Sequence, residues 1–216
     1  EPHPNYNRIL LSPVLAGEMG IKDIILNELD WYAENNITLH TGKQVKTIDR
    51  VKRKVIADDG TEESYDRLLI ATGSTPFMLP IPGNDLPGVI GYRDIKDTDE
   101  MIDAAARHKH AVVIGGGLLG LEAANGLKLR GMDVTVVHLG PWLLERQLDE
   151  VAGRMLQKSL EDKGLKFLLQ TQTEALIQGE SGRVAAIRFK DGLQIPADLV
   201  VMAAGIRPNY ALAEAS

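Results

Sequence analysis

The residues with the clearest chemical meaning form a glycine-rich stretch in the middle of the chain. Gly115, Gly117 and Gly120 stand in G-x-G-x-x-G spacing, directly after the apolar run at 111–114. In this pattern the first glycine permits a tight turn, the second lets a pyrophosphate approach the backbone, and the third lets a helix pack closely on a strand. The phosphates would then bind unpaired N–H groups at the positive end of that helix. The spacing therefore predicts a dinucleotide site, the alternative being an ordinary strand–helix turn whose glycines serve only packing.

The elements that would hold such a turn are visible on both sides of it. Residues 111–114 are typical of a buried strand, and 134–137 form a second run rich in β-branched residues. A helix is predicted between them because small or apolar residues share one face: Gly120, Ala123, Ala124 and Leu127. Gly131 follows, where a helix commonly ends in a residue with positive φ. The segment is thus a strand–helix–strand unit, the context in which the glycine pattern is specific.

The residue after the second strand departs from the expected pattern. An Asp or Glu is expected about 20 residues after the glycines, where it bonds the ribose hydroxyls. This chain has His138 there. A neutral imidazole can bond a 2′-hydroxyl, whereas an imidazolium would tolerate a 2′-phosphate. No Arg or Lys follows until Arg146, which favours NADH over NADPH. The alternative is that His138 only caps the strand at the surface.

The overall composition excludes several classes of protein. The 216 residues are enough for one large or two small domains. The 24 basic and 30 acidic residues give a net charge of −6, which argues against a nucleic-acid or membrane-surface protein. No apolar run reaches the roughly 18 residues of a membrane span. No signal peptide is visible, and a cytoplasmic location is the default expectation.

The chain has no cysteine. This excludes a disulfide framework, a C-x-x-C redox pair, a cysteine-dependent flavin peroxidase and a Cys-ligated iron–sulfur cluster within these residues. The five histidines show no zinc-ligand spacing, so no metal site is predicted.

Hydrophobic patterning and helix breakers predict the remaining elements, whose alternation indicates an α/β fold. Further helices are predicted at 22–35, 97–107 and 149–163. Further strands are predicted at 37–40, 45–49, 54–57, 67–71, 165–169, 174–178, 183–189, 193–195 and 199–203. Residues 1–20 are interpreted as irregular, and the Pro- and Gly-rich residues 74–91 as a connector between two domains.

Two segments far apart in the chain echo each other. Residues 65–73 and 197–205 both contain an Asp, an apolar strand and a small-residue turn that ends in glycine. Such strands end at the carboxyl edge of a sheet, where doubly wound folds bind ligands. Packing alone could explain either segment, but the pair beside a nucleotide fold indicates two ligand-facing turns.

Taken together, these residues resemble the pyridine-nucleotide oxidoreductases, flavoproteins that bind two dinucleotides. L-L-I-A-T-G-S-T-P at 68–76 and P-I-P-G at 80–83 are similar to the family's segment leaving its FAD domain. V-V-I-G-G-G-L-L-G-L-E at 112–122 resembles the NAD(P) fingerprint, and A-A-G-I-R-P-N at 203–209 resembles the turn back toward the flavin. The resemblance implies an α/β fold: a Rossmann-like doubly wound NAD(P)-binding domain with a β-meander at 91–216, and part of a related FAD-binding domain at 1–90.

Within the family, Y-N-R-I-L-L-S-P-V-L-A-G-E at 6–18 is most similar to the large subunit of NAD(P)H-dependent nitrite reductases, and L-L-E-R-Q-L-D at 143–149 indicates the same branch. This implies an electron-entry module in which NAD(P)H passes hydride to FAD, and iron–sulfur and sirohaem domains of a longer chain receive the electrons. A rubredoxin or ferredoxin reductase with a separate acceptor, and a nucleotide-binding fragment without activity of its own, remain alternatives. No catalytic residue is predicted, because the cofactors carry the hydride chemistry.

The resemblance assigns cofactor-binding roles residue by residue. On the NAD(P) side it implies a pyrophosphate cradle, a ribose contact, a carboxamide contact and a turn under the nicotinamide: Gly115, Gly117, Leu118, Leu119 and Gly120; His138; Glu122; Gly205 and Ile206. On the FAD side it implies a backbone contact with the adenine, a lining for the flavin, and side chains near the isoalloxazine ring: Val45; Ala71, Thr72 and Gly73; Arg8 and Ser12. The alternative for Glu122 is a first-turn glutamate stabilised by the helix dipole.

The chain also departs from the family pattern. The first FAD fingerprint is expected upstream of Glu1, and a later Gly-Asp that meets the flavin is expected beyond Ser216, so we expect a fragment with an incomplete FAD site. Many relatives place a lysine after the Leu-Ser near the flavin, whereas this chain has Pro13. Glu122 is therefore expected to lack a basic partner. The resemblance leaves a homodimer open.

Overall fold

The computed structural model describes all residues from 1 to 216, and they divide into two compact units. The large unit comprises Arg8–Ile21 and Pro76–Ile206. The small unit comprises Glu1–Asn7, Lys22–Thr75 and Arg207–Ser216. Residues 8–21 and 76–90 therefore fold with the glycine-rich stretch. Which residues belong to an FAD-binding and which to an NAD(P)-binding domain stays a prediction.

Strands and helices alternate between residues 89 and 168, as in an α/β protein. The strands are β1 Val45–Asp49, β2 Lys54–Ala57, β3 Glu62–Ser64, β4 Ser74–Pro76, β5 Val89–Gly91, β6 His110–Ile114, β7 Asp133–Val137, β8 Lys166–Leu168, β9 Thr173–Gln178, β10 Val184–Phe189, β11 Gln194–Pro196, β12 Leu199–Met202 and β13 Ile206–Pro208. The helices are α1 Leu11–Ala16, α2 Leu29–Glu34, α3 Ile95–Arg107, α4 Leu118–Leu129, α5 Glu150–Asp162 and α6 Ala211–Glu214, with short 3₁₀ helices at Arg8–Leu10 and Ile21–Ile24. None of these helices combines the length and the apolar character needed to cross a membrane.

The large unit is built on a parallel sheet with the order β5-β12-β6-β7-β8. Strands β6 and β12 are buried along most or all of their length, which explains their continuous apolar sequences. The chain runs from β6 through α4 to β7 and through α5 to β8, then returns to β12 on the other side of β6. The strand order therefore reverses at β6, and doubly wound folds bind ligands beside such a reversal.

An antiparallel meander, β11-β10-β9, completes the large unit. Buried side chains of the meander, including Ile187 and Phe189, share one core with side chains of the parallel sheet such as Met202. Residues 78–89 also pack on this core, through Met78, Leu79, Ile81, Leu86 and Val89. Much of the predicted connector is thus a packed part of the large unit, because its apolar residues between the prolines are partly buried against this core.

The prediction that residues 1–20 are irregular is wrong for 11–16, which form α1 and pack on α4. Leu15 fits against Gly126, where an added Cβ would lie 2.7 Å from Leu15 Cγ. Arg130 donates from Nε to the Leu15 carbonyl over 2.6 Å, and from Nη2 to the Val14 carbonyl over 3.0 Å. These bonds satisfy carbonyls at the end of α1 that have no partner within the helix. Pro13 is tolerated because first-turn N–H groups need no intrahelical acceptor.

The small unit departs most from the sequence prediction. Strands β1 and β2 match two predicted strands, and they form a three-stranded antiparallel sheet with β3, which was not among the predicted strands. The helix predicted at 22–35 is instead a 3₁₀ turn followed by α2, and no strand forms at 37–40. The strand predicted at 67–71 is also wrong, and Leu69 is 89 % exposed. A buried parallel strand is stable only between neighbours that accept its hydrogen bonds and cover its faces, and this chain places none beside these residues.

Candidate functional site

The glycine turn joins the end of β6 to the start of α4, and its three glycines meet different surroundings. Gly115 has φ of +131°, and a Cβ there would lie 2.3 Å from the Ala203 carbonyl oxygen. A Cβ on Gly120 would lie 2.0 Å from the carbonyl oxygen of Gly115. A Cβ on Gly117 would meet nothing within 4 Å. Packing therefore requires the first and third glycines, whereas the second leaves bare backbone facing open space.

The N-terminus of α4 offers backbone donors at this open position. Gly117 is the N-cap, with φ −83° and ψ 177° and no side-chain hydrogen bond. The Leu121 N–H donates to the Gly117 carbonyl over 3.0 Å, so the N–H groups of residues 118–120 precede the first helical bond and have no helical acceptor. The first turn contains no acidic residue. This combination of bare backbone, free donors and helix dipole fits a dinucleotide diphosphate.

His138 follows β7 and lies beside the glycine turn, with a side chain only 11 % exposed. The Gly116 N–H donates to its Nδ1 over 3.2 Å. Its Nε2 lies 2.7 Å from Oε2 of Glu145. Because Nδ1 accepts, the proton of a neutral ring is on Nε2, which donates to the carboxylate. The predicted contact of His138 with a ribose hydroxyl would require one of these two hydrogen bonds to be replaced.

A pocket of about 300 Å³ opens in the large unit beside the first turn of α4. Several predicted residues line it together: Arg8, Ser12, Leu118, Leu119 and Glu122. The residues of this lining that the sequence did not indicate are Ile9, Leu11, Tyr92 and Arg93. Leu118 and Leu119 belong both to the donor-bearing helix end and to the pocket wall. One elongated ligand can therefore occupy the turn and the pocket at once.

Glu122 has a hydroxyl partner in this pocket. The Ser12 Oγ lies 2.6 Å from Glu122 Oε2 and donates to it. The Tyr92 hydroxyl lies 3.2 Å from the same Oγ. Since the single Ser12 proton goes to the carboxylate, Tyr92 is the donor in that second pair. Burial raises the pKa of Tyr92 to about 12, so the phenol stays protonated near neutral pH.

Glu122 is expected to lack a basic partner because Pro13 occupies the position where many relatives have a lysine. The structure shows which groups contact the Glu122 carboxylate instead. Two neutral hydroxyls in series, from Tyr92 and Ser12, solvate the carboxylate. Arg8 lines the same pocket and donates from Nη1 to the Arg93 carbonyl over 2.6 Å. The sequence around Tyr92 forms no motif that would indicate a site residue. Tyr92 contacts Ser12 because it directly follows the short strand β5.

The remaining predicted residues lie elsewhere. Gly205 has φ of +124°, and a Cβ added there would meet nothing within 4 Å. Its carbonyl accepts from the Phe77 N–H over 2.9 Å. Ile206 is 54 % exposed. Four residues predicted to contact FAD belong to the small unit: Val45, Ala71, Thr72 and Gly73. Within it, Asn209 bonds the turn at 72–73, with its Nδ2 3.0 Å from the Thr72 carbonyl and its N–H 2.9 Å from the Gly73 carbonyl. The FAD roles of these residues stay predictions.

Comparison with known proteins identifies the family. A family model described as pyridine nucleotide-disulphide oxidoreductase matches residues 1–216. The chain belongs to this family. This confirms the family recognised in the sequence.

Similar proteins carry the following names. A nitrite reductase [NAD(P)H] from Bacillus subtilis is 59 % identical over 212 residues, which are 98 % of this chain and 26 % of the relative. An assimilatory nitrate reductase electron transfer subunit from the same organism is 52 % identical over 215 residues, covering 99 % of this chain and 27 % of the relative. The chain thus spans about a quarter of the length of these relatives.

A solved structure supports the fold assignment. The ferredoxin reductase from Rhodopseudomonas palustris matches with a TM-score of 0.92 and 29 % identity, covering 100 % of this chain and 53 % of that one. The predicted fold class, a Rossmann-like doubly wound sheet with a β-meander, is therefore confirmed.

Proposed function

We propose that the chain is the dinucleotide-binding part of a flavoprotein oxidoreductase that passes hydride from NAD(P)H to FAD. The observation that supports this most is the turn at Gly117, where bare backbone faces open space and the first N–H groups of α4 have no helical acceptor. A turn whose glycines served only packing would need the small residues at 115 and 120 but not at 117. Glycine is also an acceptable N-cap, but an approaching ligand explains why no side chain stands at this open position.

The pocket beside the turn is suited to the nicotinamide end of the same dinucleotide. Its volume of about 300 Å³ lies at the lower end of the range for ligand pockets. Glu122 presents a carboxylate there, and a carboxamide N–H₂ is a donor that such a group accepts. The Ser12 hydroxyl at 2.6 Å holds the carboxylate in place. A carboxamide fixed in this way sets the face that the nicotinamide ring presents.

Hydride transfer between a reduced nicotinamide and a flavin is chemistry that the two cofactors supply when bound. The residues of this chain bind, orient and exclude water. Leu118, which is 59 % exposed, and Ile9, which is 82 % exposed, give the pocket an apolar rim that a stacked ring pair would cover. Positioning of the reacting atoms is the main contribution available to a protein in such a step.

The relatives support a place in nitrite reduction. We propose that the chain is the electron-entry part of a nitrite reductase large subunit, whose iron–sulfur and sirohaem domains receive the electrons. The cysteine-free sequence fits this division, since the ligands of an iron–sulfur cluster must then come from other residues. We assign residues 1–90 to a partial FAD-binding domain and residues 91–216 to the NAD(P)-binding domain, acting in the cytoplasm, where NAD(P)H is available.

A second candidate is a reductase that delivers electrons to a separate ferredoxin or rubredoxin. The match to the Rhodopseudomonas palustris ferredoxin reductase, with a TM-score of 0.92, favours it. The 59 % identity to the nitrite reductase of Bacillus subtilis favours the first candidate more strongly.

Titration calorimetry of this chain with NADH and NADPH, each with and without added FAD, tests the proposal. We expect heat of binding for at least one nicotinamide dinucleotide without FAD. If FAD also binds, we expect NADH to bleach its yellow absorbance. Binding without bleaching would indicate a nucleotide-binding module with no activity of its own. Binding of neither NADH nor NADPH would contradict the proposed function.

A further inference from the structure

The imidazole at the usual ribose-binding position is fully engaged by the protein. In dinucleotide folds an acidic residue after the second strand bonds the ribose hydroxyls, but here His138 accepts from Gly116 N–H at 3.2 Å and donates to Glu145 at 2.7 Å. A neutral ring has only these two polar atoms. Neither ring nitrogen is then left for a ligand, but the Glu145 carboxylate, which is hydrogen-bonded to His138, can contact one.

The loop after β7 carries Glu145 to the glycine turn. The N–H of Leu144 donates to the Gly116 carbonyl over 3.1 Å, which fastens the preceding residue to the middle of the turn. Gly140 makes room for the pair, because a Cβ there would lie 2.6 Å from His138 Nε2 and 3.1 Å from Glu145 Cδ. The backbone thus delivers an acidic group to the strand end from seven residues further along the chain.

Glu145 keeps its charge while remaining accessible. Burial raises its pKa, but hydrogen bonds from its own backbone N–H and from His138 outweigh this, so the pKa lies below the ordinary value. The side chain is 35 % exposed, whereas that of His138 is 11 % exposed. A charged, part-exposed carboxylate held at a fixed place beside a diphosphate turn is the group that a ribose diol requires.

We propose that Glu145 determines the choice of dinucleotide: its carboxylate binds the adenosine ribose diol of NADH and repels the 2′-phosphate of NADPH, and His138 positions it. The inference rests on the proposed function, because it assumes that a dinucleotide occupies the glycine turn. It assigns to Glu145 the contact that the sequence pattern assigns to residue 138.

ADP-ribose and 2′-phospho-ADP-ribose are suitable probes, because they lack the nicotinamide and report on the adenosine end alone. Titration calorimetry of the full chain is expected to show ADP-ribose binding at least about tenfold tighter than its phosphorylated form, since one repelled charge pair is worth roughly that factor. In E145Q, which keeps an acceptor for His138, the preference is expected to fall about tenfold. Most of this change should come from tighter binding of the phosphorylated probe.

The matched control is E150Q, which removes the same charge at the start of α5. Glu150 is paired with Arg154 at 2.7 Å and contacts neither His138 nor the glycine turn, so the preference should stay within twofold of the unaltered chain. His138 is a positioning residue, and H138A is expected to shift the preference in the same direction as E145Q. Nitrogen-15 NMR of the unaltered chain should show the His138 proton on Nε2.

Each outcome separates this inference from the proposed function. An E145Q variant that melts normally and keeps the original preference would overturn the role of Glu145. So would an equal shift in E150Q, since net charge alone would then explain the change. A native preference for 2′-phospho-ADP-ribose that R146A abolishes would also overturn it and assign the site to Arg146. If neither probe nor either full dinucleotide binds, the proposed function itself fails.

Discussion

Replacing Gly117 with valine separates a glycine kept for a ligand from one kept for packing. The backbone at 117 has φ −83° and ψ 177°, which any residue adopts, and an added Cβ meets nothing within 4 Å. Valine is a poorer N-cap than glycine by up to about 1 kcal/mol. That loss is partly offset by the reduced freedom of the unfolded chain. We therefore expect G117V to melt within about 2–4 °C of the unaltered protein.

Binding should respond very differently. The valine methyl groups would occupy the space through which a diphosphate reaches the N–H groups of α4. Each hydrogen bond to a charged group contributes about 1.5–3 kcal/mol, so losing two of them weakens binding by about 3–6 kcal/mol. That corresponds to at least about a 100-fold rise in the Kd of NADH. Circular dichroism melting and titration calorimetry on the same samples provide the two measurements.

Gly120 is the internal comparison. A Cβ there would lie 2.0 Å from the Gly115 carbonyl oxygen and 3.3 Å from the Ala203 Cβ. The backbone must therefore move, and overpacking of this kind destabilises by about 1–3 kcal/mol or more. G120V should lose stability first and binding as a consequence. If G117V binds NADH within twofold of the unaltered chain, or if both variants melt alike, the assignment of separate roles to the two glycines is wrong.

Three further predictions concern the Glu122 pocket and the helix α1 that carries Ser12. S12A removes the hydroxyl that donates to the Glu122 carboxylate over 2.6 Å. We expect NADH affinity to fall about tenfold, the value of a hydrogen bond to a charged group. Calorimetry should show an unchanged affinity for ADP-ribose. Burial raises the pKa of Tyr92 to about 12 from its unfolded value near 10. The contribution of the protonated phenol to the free energy of unfolding is therefore complete below pH 10 and is lost as pH rises toward 12. Urea titrations of Y92F should show a weaker fall in stability over that range. R130M removes the hydrogen bonds of 2.6 and 3.0 Å that hold α1 against α4. We expect the free energy of unfolding in urea to fall by about 1–3 kcal/mol and NADH binding to weaken. Unchanged values for both would contradict the role given to α1.

The strand–helix–strand unit was predictable because its signals are local. Glycines at a fixed spacing, a run of β-branched residues and a one-sided helix pattern all act within a few residues of one another. The predicted strand at 111–114 is observed as β6, the strand at 134–137 as β7, and the helix between them as α4. The resemblance to the family also indicated Ser12, Arg8 and Glu122 as site residues, and all three line one pocket.

The two echoing segments show where local pattern fails. Residues 199–202 and 67–71 carry the same kind of apolar run, but only the first forms a strand, β12, between β5 and β6. The second lacks neighbouring strands in this chain, and Leu69 is left 89 % exposed. A strand of a parallel sheet is stabilised by its partners rather than by its own sequence, so similar patterns can have opposite outcomes.

The sequence by itself determined the glycine turn, because the steric needs of a strand packed closely on a helix are met by residue types at fixed spacing. Only the tertiary structure decided the partners of the charged groups. Ser12 reaches Glu122 across 110 residues, and His138 bonds Glu145 because the loop after β7 returns to the glycine turn. Hydrogen bonds form between atoms that the fold brings within about 3 Å, and separation along the chain does not reveal which atoms those are.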